Sequence, residues 1–234
     1  MSLQKSLKEI KRLLLKRYKK NLAAILVFGS ANTGHFVGGE SDIDHMIFLK
    51  RLHNLNLTKE SKFLFENLRK YHFSTQYFNT LKGIKEYIKK RKSFSTYVTI
   101  VSDDGSRIIY STLEFEKTKE WLLKHPFKKQ EIKDSIKEKD KFELEGYFRE
   151  IKDYELTKGL MSHIKRKLQI MNYFKTGKLI FDYDKCIKNI NPENKEELNN
   201  LYEVYKQRGK LSKKEIDYYY KLARELTRRI NTQF

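Results

Sequence analysis

Two carboxylates, Asp42 and Asp44, stand two positions apart at the head of an apolar run, and Gly29-Ser30 closes an earlier apolar run eleven residues upstream (31 to 41 intervene). Alternation along a strand sends residues i and i+2 to the same side. Asp42 and Asp44 are therefore expected to project together from one strand end, while Ile43 turns the other way into a core. Carboxylates held that close repel each other, and keeping both ionised is costly unless a cation sits between them. Magnesium supplies that charge and prefers carboxylate, phosphate and water oxygens. Glycine lets a backbone approach a ligand closely, and serine offers hydroxyl and amide donors suited to a phosphate. A phosphate cradle beside a metal-binding acid pair is equipment for phosphoryl or nucleotidyl transfer.

Those groups need a rigid frame, and the sequence predicts one. Leu3, Leu7, Ile10, Leu14 and Tyr18 recur at helical spacing, so residues 2–19 read as an amphipathic helix with a basic outer face. Leu22 to Phe28 and Asp44 to Leu49 read as buried strands, with a helix at 58–71 capped by Thr58 and a third strand from Phe73 to Asn79. A helix is expected at 81–90. TYVTIV and RIIYS flank Asp103-Asp104-Gly105-Ser106, and Asp-Gly between β-rich runs predicts a hairpin. Beyond about Thr112 strand signals nearly vanish, and helices are expected at 113–124, 129–151, 154–175, 193–208 and 212–231. The expected fold is α+β, with a mixed-sheet domain over 1–125 followed by a helical bundle domain over 126–234.

The chain has 234 residues, 50 Lys and Arg against 30 Asp and Glu, and a formal net charge of +20. Such a surface attracts polyanions, whether nucleic acid, nucleotide or an anionic membrane face. The basic excess is spread over the chain, with 23 basic and 12 acidic residues in 1–120, a pattern that fits a lysine-rich solvated exterior better than one dedicated module. A single cysteine, Cys186, rules out an internal disulfide and fits a reducing compartment. No apolar stretch reaches the roughly 20 residues that cross a bilayer, and no signal-peptide pattern is present, so a cytoplasmic location without membrane partners is expected. Oligomeric state is not readable from the sequence.

The ordered combination Phe28-Gly29-Ser30, a spacer of eleven, then Glu40-Ser41-Asp42-Ile43-Asp44 resembles the signature of the nucleotidyltransferase superfamily of DNA polymerase beta. The resemblance covers roughly residues 20–110. The helical remainder is similar in a general way to the carboxy-terminal domains of small and aminoglycoside-type nucleotidyltransferases, with Tyr173 and Thr176-Gly177-Lys178 at the corresponding seam. It implies that Gly29 and Ser30 hold the phosphates of a nucleoside triphosphate, and that Asp42 and Asp44 are catalytic and bind magnesium, two ions in all. The implied reaction is transfer of a nucleoside monophosphate, most simply AMP from ATP, onto a hydroxyl with release of pyrophosphate. RNA or tRNA, a small molecule and a protein hydroxyl are all open as acceptor.

The chain departs from the family in one respect. The family carries a third carboxylate on the next strand, where this sequence has FSTQYFN, with Thr75 and Gln76 near the expected place and no acid in 72–79. Glu143, Glu145, Glu150, Asp153 and Glu155 in the helical half are alternative sources, and a catalytically degenerate nucleotide- or RNA-binding module is the alternative function. Of the histidines, His45 is expected in the core and His35 in the spacer loop; no His and Cys pair has zinc spacing. Tyr218-Tyr219-Tyr220 and the basic Lys221, Arg224, Arg228 and Arg229 are expected to serve packing and a solvated face.

Overall fold

The structure, a computed structural model, describes residues 2–33, 43–52, 55–71, 73–91, 93–102, 105–178, 180–190 and 192–234. It divides into two compact units, residues 1–127 and 128–234.

In the first unit, α1 (Leu3–Tyr18) starts at Ser2, whose Oγ accepts from the Lys5 amide. A 3-10 turn over 19–21 leads into β1 (Leu22–Phe28), then Gly29 and a short α2 (Ser30–Thr33). After residue 42 come β2 (Ile43–Leu49), α3 (Leu57–Leu68), β3 (Phe73–Thr80) and α4 (Leu81–Lys89). They are followed by α5 (Phe94–Val101), β4 (Arg107–Ser111) and α6 (Leu113–Leu123).

The four strands form one mixed sheet in the order β3-β2-β1-β4. β1 is antiparallel to β2 and β4, and β2 is parallel to β3. β1 and β2 lie at the centre and are mostly apolar and buried on both faces, with Phe28 and Asp44 at the strand ends partly exposed and His45 a buried polar exception. Leu7, Ile10 and Leu14 of α1 bury themselves with Ile25 and Val27 of β1, Ile43 and Ile47 of β2, and Leu64 and Leu68 of α3. On the other face Phe48 meets Phe115 of α6 with ring centroids 5.5 Å apart.

The expected hairpin does not form. Residues 94–101 are helical, so the element ahead of β4 is α5 and not a strand. Ser93 caps α5, its Oγ accepting from the Thr96 amide at 3.2 Å, and Phe94, Tyr97, Val98 and Ile100 are buried. That burial at helical spacing overrides the β preference of the Thr, Tyr, Val and Ile residues. α3 begins one residue before the expected Thr58 cap because the side chain of Asn56 accepts from the Lys59 amide.

The second unit is helical: α7 (Lys129–Leu144), α8 (Asp153–Thr176), α9 (Tyr183–Ile190), α10 (Lys195–Lys206) and α11 (Lys213–Gln233). α8 is the central helix; it packs against α9, α10 and α11 and buries Leu160, Ile164 and Leu168. The expected helix 129–151 ends at Leu144, and α9 was not expected at all. Gly177, in the left-handed region at φ 73°, ends α8.

Candidate active site

The end of the sheet at which β1 finishes and β2 begins holds Gly29, Ser30 and Asp44 of the groups singled out in the sequence. In the β1–β2 register Phe28 lies opposite Asp44, so Gly29 is the next residue past Asp44's partner. Paired residues share a face of the sheet. Ile43, with no exposed surface, and Ile47 point to the α1 and α3 side, while Asp44 points to the opposite face with Phe28. This is the alternation expected for the strand. Asp44 is half-buried.

Gly29 meets Asp44 directly. Its φ is +67°, a conformation L side chains rarely adopt, and a Cβ built on it would lie 2.8 Å from Asp44 Oδ2. The missing side chain is what lets the turn pass over this carboxylate. The glycine thus meets two demands at once, a left-handed turn and a close approach. The turn then bends into α2, with the Asn32 amide donating to the Gly29 carbonyl at 3.1 Å. Ser30 is the first residue of α2. Sequence reasoning assigned Gly29 to a ligand phosphate and missed its contact with Asp44. The antiparallel register of the two strands is the signal that reveals it.

Asp42, His35, Asp103 and Asp104 lie outside the described residues. Among the described residues no group of three or more His, Cys, Asp or Glu side chains is gathered closely enough to hold a metal ion. What Asp44 offers is a hard carboxylate donor at a strand end, the chemistry that suits magnesium. β3, the parallel neighbour of β2, places Ser74 opposite Asp44 and Thr75 opposite His45, and carries no acid from Phe73 to Thr80. His45 is fully buried in the core as expected, its Nδ1 donating to the Ile43 carbonyl at 3.2 Å.

In the helical unit, Glu143 is committed elsewhere. Its carboxylate takes His163 Nδ1 and, at 3.2 Å, Arg166, with Lys139 at 3.0 Å. The His163 side chain is 1% exposed, and its Nε2 lies 2.8 Å from Asp140 Oδ1. Lys167 Nζ reaches the same Oδ1 at 2.7 Å and donates to the Ala223 carbonyl at 2.6 Å. Burial raises the Glu143 pKa, but the hydrogen bond from His163 and the nearby cations outweigh it and leave it at about 2. Burial lowers Lys167 to about 8 against the opposing pull of Asp140. This cluster ties α7 to α8 and α11. Asp153 pairs with Lys210.

Tyr219 is buried and its hydroxyl donates to the Glu197 carbonyl at 3.0 Å. Arg228 and Arg229 pair with Glu225, and Arg229 also with Glu193. Cys186 is buried, its thiol pushed up to about 12 by that burial. No helix among the described residues is long and apolar enough to cross a membrane.

Comparison with known proteins agrees with this fold. Over its full length the fold is similar to the crystal structure of spectinomycin adenyltransferase AAD(9) from Enterococcus faecialis with ATP and spectinomycin. The TM-score is 0.57 at 14% identity, covering 98% of this chain and 99% of that one. Among curated protein sequences none matches this chain. Residues 7–154, which hold the whole sheet and the Gly29–Asp44 contact, match the nucleotidyltransferase domain, and the chain belongs to that family.

Proposed function

We propose that this protein is a magnesium-dependent nucleotidyltransferase that moves AMP from ATP onto a hydroxyl of an acceptor and releases pyrophosphate. The observation that carries the reading is the left-handed turn at Gly29, whose backbone passes over the Asp44 carboxylate where the two central strands meet. Gly29 and Ser30 bind the phosphates of the triphosphate; Asp42 and Asp44 would hold the magnesium, two ions by family resemblance. When bound, the metal neutralises charge that develops on the phosphates. The acceptor oxygen forms a bond to the α-phosphorus as the bond to the bridging oxygen of the β-phosphate breaks and pyrophosphate leaves, and the hydroxyl proton passes to solvent water. The chain contributes chiefly by aligning these groups.

ATP as donor and a small-molecule hydroxyl as acceptor are supported by the adenyltransferase of similar fold, solved with ATP and spectinomycin. RNA or tRNA, or a protein hydroxyl, are the other acceptors to try. Residues up to about 125 form the nucleotidyltransferase domain in this reading, those beyond it the helical domain, and the protein acts in the cytoplasm.

One observation favours a second reading. β3 has no carboxylate beside Asp44, which is what a catalytically degenerate module that binds nucleotide or RNA would show. Pyrophosphate release with each NTP and magnesium, compared between wild type and Asp42→Ala/Asp44→Ala, separates the two. Release above the double variant supports transfer. Equal release across all acceptor pools, with ATP still bound, establishes the module.

A further inference from the structure

We propose that the outer face of α1 is a docking surface for the phosphate backbone of a nucleic acid. Lys5, Lys8, Arg12 and Lys16 are all exposed. At 3.6 residues per turn they fall within an arc of about 80° and span about 16 Å along the helix. Glu9 is the one acid in α1, and it is paired with Arg12, its Oε2 accepting from Arg12 Nε at 3.0 Å. Among the described residues no carboxylate pairs with Lys5, Lys8 or Lys16, so their charge faces outward. Arg17, by contrast, is taken by the buried Glu60.

The cationic surface continues onto the edge of the sheet. α1 packs against β4, and Lys11 Nζ sits 5.8 Å from the ring centre of Tyr110. Exposed Arg107 pairs in register with Val27, a member of the core that α1 covers, so it lies on the α1 side of the sheet.

A basic amphipathic helix can also serve a membrane surface, but that role requires a free apolar face. Here Leu7, Ile10 and Leu14 are at most 4% exposed within the core, so α1 has nothing to insert. What it offers is a line of charges. A nucleic-acid strand carries one negative charge per nucleotide, so a line of cations about 16 Å long can meet several phosphates in succession. The contact reads backbone charge and carries no base specificity. The proposal does not depend on the transfer reaction, because the surface needs neither Asp44 nor bound nucleotide.

The test is binding of a fluorescent single-stranded RNA to the full chain, followed by anisotropy over roughly 50–200 mM salt. The variant is Lys5→Gln/Lys8→Gln/Arg12→Gln/Lys16→Gln. The control removes the same charge from exposed residues of α11: Lys213→Gln/Lys214→Gln/Lys221→Gln/Arg224→Gln. Each phosphate contact contributes about 0.7 to the slope of log K against log salt for a single strand, so the α1 variant should flatten it by up to about 3. The control should leave it nearly unchanged. If the fourfold variant unfolds, Lys5→Gln and Lys16→Gln alone should each flatten the slope by about 0.7. Equal loss in variant and control would reduce the effect to net charge and overturn the proposal. So would absence of RNA binding by the wild type, or stronger binding to phosphatidylserine vesicles than to RNA.

Discussion

Gly29→Ala separates two things a glycine can do, because the structure supplies its own control. Gly29 and Gly177 both have positive φ, +67° and +73°. A Cβ at Gly177 meets nothing within 4 Å, whereas at Gly29 it lies 2.8 Å from Asp44 Oδ2. Forcing alanine into the left-handed region costs about 1–2 kcal/mol at either site, worth roughly 2–8 °C in Tm for a chain of this size. The clash adds little to stability, since the end of a short side chain can swing aside. Its effect falls on function: the Asp44 carboxylate must move, and displacements near 1 Å cost about 100-fold in rate at a positioned site. Scanning calorimetry should therefore show similar Tm losses for Gly29→Ala and Gly177→Ala. Pyrophosphate release and magnesium-dependent ATP binding should fall sharply for Gly29→Ala alone. The reasoning is refuted if both variants keep the same nucleotide affinity and turnover, because Gly29 would then be serving the turn and not the carboxylate.

Two further predictions concern the buried cluster of the helical unit. Lys167→Met leaves Asp140 without its ammonium partner and should cost about 3–5 kcal/mol, roughly 10 °C in Tm; Lys167→Met/Asp140→Leu should recover much of this in a thermal melt. Glu143 falls from its ordinary 4.5 to about 2 in the folded chain, so between those values the unfolded chain binds more protons and stability rises with pH. Up to about 3 kcal/mol is thus present above pH 4.5 and lost as pH falls toward 2, and urea midpoints of Glu143→Gln should lack that acid limb.

The parts of the fold legible in the sequence were those governed by one dominant periodicity. α1 shows a clean 3.6-residue stripe, and β1 and β2 are short apolar runs bounded by a glycine turn and an acid-containing segment. Residues 94–101 misled because Thr, Tyr, Val and Ile favour strands locally, while the side chains that decide, Phe94, Tyr97, Val98 and Ile100, are buried at helical spacing. α9 carries a short stripe after Gly177 that the turn signal masked. At the candidate site, the types and spacing of Gly29, Ser30 and Asp44 pointed to the sheet end where β1 and β2 meet. The contact between Gly29 and Asp44 depends on which residue of one strand faces which of the other, and pairing register is a tertiary property that a single sequence carries only weakly.

The sheet order also bears on what the missing acid means. β2 has β1 on one side, where Gly29 leaves room for the Asp44 carboxylate, and β3 on the other, where Ser74 stands in register and no carboxylate follows. A third acid that takes the acceptor proton contributes about 10²–10⁴-fold as a general base. Enzymes of ordinary power exceed their uncatalysed reactions by about 10⁶-fold at the least. By family resemblance the third acid also helps to hold the metal, so its absence bears on neutralisation of phosphate charge as well as on the base, while alignment of donor and acceptor does not need it. On the proposed transferase reading, Ser74 in register with Asp44 predicts a rate lowered by the missing base, and pyrophosphate release above that of Asp42→Ala/Asp44→Ala is what separates this reading from a binding module.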